Sequence, residues 1–290
     1  MCVKNAETAC LQVRAPAKIN LCLAVTGRRP DGYHEIFSLM AAVGLFDDIR
    51  LELAGSGITV ECGAEGVPQD QTNLAVIAAQ HFFEAAGRCS GLAIRIDKRI
   101  PVGAGLGGGS SDAAAVLTGL NRHFGCPLDS QNLHCLAARI GADVPFFIEG
   151  RPALATGIGD RLHAYRGLSP MHVLIVFPGV SVPTAKVYGA VRLRLTACGK
   201  KSKIFALKTQ PFDATQHLYN DLEAVAGEMY PVILEAKSVL LAEGADGAMM
   251  TGSGSAVFGL FKEANAVVRA RSAIGRHCRD WQFYCADLIL

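Results

Sequence analysis

Pro101-Val102-Gly103-Ala104-Gly105-Leu106-Gly107-Gly108-Gly109-Ser110-Ser111-Asp112-Ala113-Ala114-Ala115 lies about a third of the way along this chain of 290 residues. Five glycines between 103 and 109 leave a loop with little side chain, able to bend through positive φ and approach a ligand closely. Two serines follow, and then an alanine-rich run that predicts a buried helix over Ala113 to Phe124. A helix N-terminus behind a glycine turn gathers exposed N–H groups and the positive end of the helix dipole, so it suits an anion, and phosphate is the obvious one. A flexible linker is the alternative. The stretch, however, sits between an alternating strand, Leu92 to Ile96, and an apolar helix, which is not where linkers lie. No Gly-Lys-Ser/Thr closes the loop, so it is not a P-loop. Gly103, Gly105 and Gly108 fit G-x-G-x-x-G, but so glycine-rich a run meets that spacing by chance, and no acid ends a strand about twenty residues on.

Outward from the loop, the composition bounds the class. Half the residues are hydrophobic and 19% are charged, an ordinary globular balance, and the net charge of +2 gives no reason to expect nucleic acid or a membrane surface. No apolar run has bilayer-spanning length, and Met1 to Glu7 lacks the apolar core of a signal peptide. Ten cysteines are scattered without C-x-x-C or zinc-ligand spacing; several, such as Cys22, Cys135 and Cys285, fall in apolar segments. They read as reduced, structural thiols, which implies a cytoplasmic protein.

Upstream, alternation predicts a strand from Leu11 into Ala15-Pro16-Ala17-Lys18-Ile19-Asn20-Leu21, with Lys18 and Asn20 on one face. Lys18 is then either a snorkelling cation or a charge held for a ligand. Tyr33-His34 follows the turn at 26–32, where the two rings either pack or offer stacking and hydrogen bonding at a loop edge. Ile36 to Val43 reads as a buried strand, and Ile49 to Leu53 with Ile58 to Cys62 as a hairpin. Asn73 caps a helix that ends at Gly87; its His81 reads as a packed or surface residue.

Downstream, Ser130 is the expected cap of a helix running to Ile140, and Asp143 is the one acid in the apolar run from Ala142 to Ile148. A buried carboxylate is costly unless it is paired or functional; a structural cap is the alternative. The second half carries an apolar strand over His172 to Phe177 and a helix from Pro183. Beyond these come an exposed basic connector at Lys200 to Lys203, helices over Thr215 to Met229 and Pro231 to Ala242, and a final helix and strand. A second glycine cluster, Thr251-Gly252-Ser253-Gly254, joins two apolar strands and reads as support for a site. Strands and helices interleave without regular βαβ alternation, so the expected class is α+β, two units meeting near residue 160.

Three segments together, Ala15 to Leu21, Pro101 to Ala115 and Thr251 to Gly254, resemble the three signature motifs of the GHMP kinase superfamily. Arg28-Arg29-Pro30-Asp31-Gly32-Tyr33-His34, Gly141-Ala142-Asp143-Val144-Pro145-Phe146-Phe147 and Asn220-Asp221-Leu222-Glu223 resemble more narrowly the branch that phosphorylates 4-(cytidine 5'-diphospho)-2-C-methyl-D-erythritol in isoprenoid precursor synthesis. The likeness implies the two-domain GHMP kinase fold: a ribosomal protein S5 domain 2-like N-terminal domain over 1–160, a ferredoxin-like C-terminal domain over 161–290, and an active site in the cleft between them. It implies ATP as donor, with Mg²⁺ carried mainly by the nucleotide phosphates; no protein residue is singled out as a metal ligand. The partners it implies are small-molecule substrates, with no nucleic acid or membrane, for a monomer or weak dimer.

The residue roles follow from the same likeness. Asp143 and Lys18 would be catalytic, as base and neighbouring cation. Asn73, Leu74 and Lys98 would line the adenine and ribose pocket, while Pro101, Val102, Gly103, Ala104, Gly105, Leu106, Gly107, Gly108, Gly109, Ser110 and Ser111 would wrap the ATP phosphates. Asn20, Tyr33, His34, Asp143, Thr184 and Tyr188 would meet the acceptor. Ser255 stands where many relatives have Pro, and Met40 where some have an aromatic residue. Another GHMP kinase, of homoserine or mevalonate type, or a non-catalytic ATP-binding module, are the alternatives.

Overall fold

The computed structural model describes residues 9–53, 55–191, 204, 206–207 and 209–290. The Lys200 to Lys203 connector lies outside them. The chain divides into two compact units, residues 1–17, 46–102 and 107–149 in one, 18–45, 103–106 and 150–290 in the other. A single cut near residue 160 does not describe this. The strand β1 (Ala9–Arg28) passes from the first unit to the second at Lys18, and β2 (His34–Leu53) returns from the second to the first at Phe46.

In the first unit the end of β2 pairs antiparallel with β4 (Leu92–Asp97), Ile49 opposite Ile96, and β3 (Ile58–Cys62) pairs parallel with the other edge of β4, Val60 opposite Ile94. The hairpin expected of β2 and β3 is therefore wrong. Alternation fixes which residues face inward, but not which strand is the neighbour. A parallel partner needs a crossover, and α1 (Leu74–Ala85) supplies it between β3 and β4. The helix α2 (Gly108–His123) packs on α1, on α3 (Ser130–Ile140) and on α4 (Val144–Glu149). Its Ala113, Val116, Leu117 and Leu120 are buried with Phe82 of α1. Asp129, not Ser130, caps α3, its carboxylate accepting from Asn132 N–H at 2.8 Å.

The second unit is built on the antiparallel run β9 (Gly247–Met250), β10 (Val257–Phe261), β7 (His172–Phe177) and β11 (Gln282–Ile289). β11 continues onto β2, Leu288 opposite Val43, and β2 onto β5 (Ala153–Thr156) and then β6 (Arg161–Ala164). Helices over Val232–Ala242 and Ala264–His277 bury Ile233, Leu240, Val267 and Ile274 against Leu174, Val176 and Phe261. The helix expected from Thr215 to Met229 is broken. A short turn over Ala214–His217 gives way to the two-residue strand β8 (Tyr219–Asn220), parallel to β1 at Cys22 and Leu23, before the helix resumes at Asp221–Met229. Cys135 and Cys285 are exposed, contrary to their apolar neighbourhoods; Cys22 is buried as expected. Among the described residues no helix is long and apolar enough to cross a membrane.

Candidate active site

The glycine loop starts its helix earlier than the alanine run suggested. α2 begins at Gly108, with Gly107 as N-cap at φ 73°, ψ 17°. A glycine cap has no side chain to satisfy the first-turn N–H groups, and no side-chain cap bond is formed. Those donors remain with the dipole end, a suitable place for phosphate oxygens. In the first unit Leu74 lies beside this turn, its Cδ1 3.7 Å from where a Cβ on Gly109 would stand. The turn that carries Asp143 is there too: a Cβ on Gly141 would stand 3.8 Å from Ser110 Oγ. Asp143 itself immediately precedes α4 and is half-buried rather than sealed in the apolar run.

Two residues expected at the nucleotide spend their polar atoms elsewhere. Asn73 caps α1, accepting from Ala75 N–H at 2.9 Å and donating to Pro68 O at 2.7 Å. The Lys98 ammonium is held by Asp47 at 2.5 Å and Asp112 at 2.7 Å, with its side chain only 6% exposed. Burial by itself would lower the Lys98 pKa, but the two carboxylates outweigh it and the net direction is up. The ammonium is thus committed to two buried carboxylates.

In the second unit Lys18 and Asn20 do share a face, and both are buried. Lys18 Nζ donates to Asn20 Oδ1 at 2.6 Å, Asn20 Nδ2 donates to Ser38 Oγ at 2.8 Å, and Ser38 Oγ donates to Cys22 O at 2.6 Å. Asn20 thus orients the cation through a chain fixed in the backbone of β1, and that chain occupies its own side chain. The Lys18 main-chain N–H donates to Leu106 O at 2.9 Å, which ties the lysine to the glycine loop. Ser38 had one possible signal in the sequence, a lone hydroxyl in the apolar run Ile36 to Val43.

The 251–255 turn supports the loop as expected. Thr251 Oγ1 accepts from Asn20 N–H at 3.0 Å and donates to Gly105 O at 3.4 Å, and Ala256 N–H donates to Ala104 O at 3.1 Å. Ser253 Oγ and Thr184 Oγ1 share a hydrogen bond of 2.8 Å, which joins this turn to the start of α5 (Thr184–Ala190). Asn220 holds the turn from below. It donates to Met250 O and Gly252 O at 2.8 Å each, while its carbonyl caps the Asp221–Met229 helix. Glu223 accepts from Met250 N–H at 2.8 Å, and Asp221 from Val25 N–H at 2.7 Å. Asn220→Ala should therefore lose about 2–3 kcal/mol of stability, a cap and two part-buried bonds together. Chemical denaturation checks this, and a loss under about 0.5 kcal/mol would contradict it.

Also in the second unit, the His34 and Tyr188 rings sit 5.3 Å apart, tilted by 35°, and Tyr33 is 62% exposed. Burial, with help from the Arg28 charge, lowers the His34 pKa below its ordinary 6.5. The imidazole is then neutral at pH 7 and offers one donor and one acceptor to a planar polar edge.

Residues 73–151 match the GHMP kinases N terminal domain, and residues 211–280 match the GHMP kinases C terminal domain. A 4-diphosphocytidyl-2-C-methyl-D-erythritol kinase of Syntrophotalea carbinolica is 49% identical over 94% of this chain and 97% of its own. One of Geobacter sp. is 47% identical over 93% and 96%. Among solved structures, a 4-(cytidine 5'-diphospho)-2C-methyl-D-erythritol kinase is 40% identical with TM-score 0.79, covering 96% of this chain and 99% of that one. The homoserine kinase of Cytophaga hutchinsonii, at 19% identity and TM-score 0.80 over 100% and 98%, shares the fold alone. With a capless glycine loop, a buried lysine fastened to it and near-full-length likeness at this level, the chain belongs to the 4-diphosphocytidyl-2-C-methyl-D-erythritol kinase family of GHMP kinases.

Proposed function

We propose that the protein transfers the γ-phosphoryl group of ATP to the 2-hydroxyl of 4-diphosphocytidyl-2-C-methyl-D-erythritol, giving the 2-phosphate and ADP. The observation that carries the reading is the fastening of buried Lys18 to the glycine loop, N–H to Leu106 O, in a chain of this family. Phosphoryl transfer passes through a loose transition state, so positioning and charge neutralisation outweigh full proton removal. The N–H groups of the loop and of the α2 N-terminus hold the ATP phosphates, and Lys18, oriented by Asn20, offsets charge on the transferred group. Asp143 orients the acceptor hydroxyl and takes its proton late. Tyr33, His34 and Tyr188 hold the cytosine by stacking and edge hydrogen bonds, and Thr184 meets the acceptor beside them.

Among the described residues no group of three or more His, Cys, Asp or Glu could hold a metal ion. Mg²⁺ would arrive on the ATP phosphates, since this cation takes few protein ligands, and would supply charge neutralisation there. The reading is of a cytoplasmic enzyme, monomeric or weakly dimeric, without nucleic-acid or membrane partners.

The competing members of the superfamily would keep Lys18, Asp143 and the loop but would not need the three rings. Cytidine diphosphate should raise the melting temperature, whereas homoserine and mevalonate should not. The deciding measurement is ADP release with each acceptor; preferential turnover of homoserine or mevalonate would overturn the assignment.

A further inference from the structure

Lys98, Asp47 and Asp112 form a buried cluster that none of the transfer chemistry above uses. Lys98 directly precedes Arg99-Ile100, the lead-in to the glycine loop, and Asp112 lies in the first turns of α2, on the loop's far side. Asp47 is fully buried in β2. Its Oδ1 accepts from Arg99 N–H at 2.6 Å and Ile100 N–H at 2.8 Å, which fixes the lead-in. Its Oδ2 accepts from Lys98 Nζ at 2.5 Å, and the same ammonium donates to Asp112 Oδ2 at 2.7 Å, which fixes the helix start. Both ends of the loop are therefore staked to one ammonium. Gly108 records how closely the parts fit: a Cβ there would stand 2.9 Å from Lys98 Nζ and 3.1 Å from Ile100 Cγ2.

We propose that Lys98, Asp47 and Asp112 are positioning residues that set the span and register of the glycine loop for the ATP phosphates. This rests on the reading of the loop as the ATP holder. The cluster touches no reactant; it acts through the backbone it fixes. Charge-assisted bonds between buried partners are the strong kind, which suits a loop whose own glycines give it little intrinsic order. Burial pushes the Asp112 carboxyl up to about 7, with Lys98 pulling it back and the Asp47 charge pushing it further. One ammonium thus serves two acids, and removing Lys98 alone would leave both acids buried without their cation.

The test therefore compares Asp112→Ala, Asp112→Asn and the double variant Lys98→Met/Asp112→Leu. Asn keeps an oxygen for Lys98, and Asp112 Oδ1 takes no protein hydrogen bond that an amide would break. The double variant removes ammonium and acid together and leaves Asp47 with its two backbone donors. Asp112→Ala and the double variant should raise the ATP KM about tenfold, with the acceptor KM within twofold and Asn restoring the ATP KM to within threefold. Folded variants with unchanged ATP KM would overturn the proposal, as would both KM values rising together or Asn failing to rescue. If Asp112→Ala does not fold, the double variant against Asp112→Asn makes the same comparison. Calorimetric titration with ATP and Mg²⁺ reads the loop independently: tenfold weaker binding in the braceless variants supports the brace and unchanged binding refutes it, even if the wild type proves inactive on the cytidine acceptor.

Discussion

Gly105→Ala abolishes productive ATP binding: kcat/KM for ATP falls by about two orders of magnitude or more, the scale expected when reacting groups are misplaced by an ångström. Gly105 has φ +78°, and a Cβ there would stand 2.2 Å from Thr251 O and 3.1 Å from Gly254 N. Both neighbours are backbone of the 251–255 turn, which Asn220 and Glu223 hold in place, so neither can step aside as a flexible side chain would. The loop must move instead, and with it Leu106, whose carbonyl holds the Lys18 N–H. Gly125→Ala is the control. It shares a positive φ of 77° but has nothing within 4 Å, so it should cost only about 1 kcal/mol of stability and leave the kinetics alone. Steady-state kinetics with varied ATP separates the two; an ATP KM within twofold of wild type in Gly105→Ala would remove the loop from the nucleotide site.

Asp143→Asn should lower kcat by on the order of 10²-fold or more with little change in ATP KM, since proton transfer by a positioned group contributes on this scale. The amide keeps the size of the carboxylate and much of its hydrogen bonding while losing its basicity, so a fold defect is not the expected cause. Thermal melting of the variant checks that point. Phosphoryl transfer has a loose transition state, and a role confined to orienting the hydroxyl would give a smaller loss, concentrated in the acceptor KM. Near-normal turnover would remove Asp143 from the catalytic machinery altogether.

The site residues show where sequence reasoning reached and where it stopped. Lys18 and Asn20 were legible as a pair because residues two apart in a strand share a face. The loop was legible because glycine at that density has few other uses, and the second glycine turn because apolar strands flank it. Asp47 and Asp112 carry no such signal. Each looks like an ordinary acid, one at 47–48 beside another aspartate and one following two serines, and only folding brings them to 2.5 and 2.7 Å from the same ammonium. Lys98 reads from sequence as a cation next to a phosphate loop, and its two carboxylate partners are what the sequence does not show.

The sequence by itself determined the α+β class, most strand and helix positions, the glycine loop and, through motif likeness, the kinase family. These rest on local periodicity, turn chemistry and residue identity, all of which are properties of short windows. Only the tertiary structure decided that β4 separates β2 from β3, that the chain passes five times between the two units, and that the Asn73 and Lys98 side chains commit their polar atoms to the scaffold. Strand neighbours and salt-bridge partners are set by contacts between residues far apart in the chain. For Lys98 the deciding partner is 51 residues away, a distance no local pattern spans.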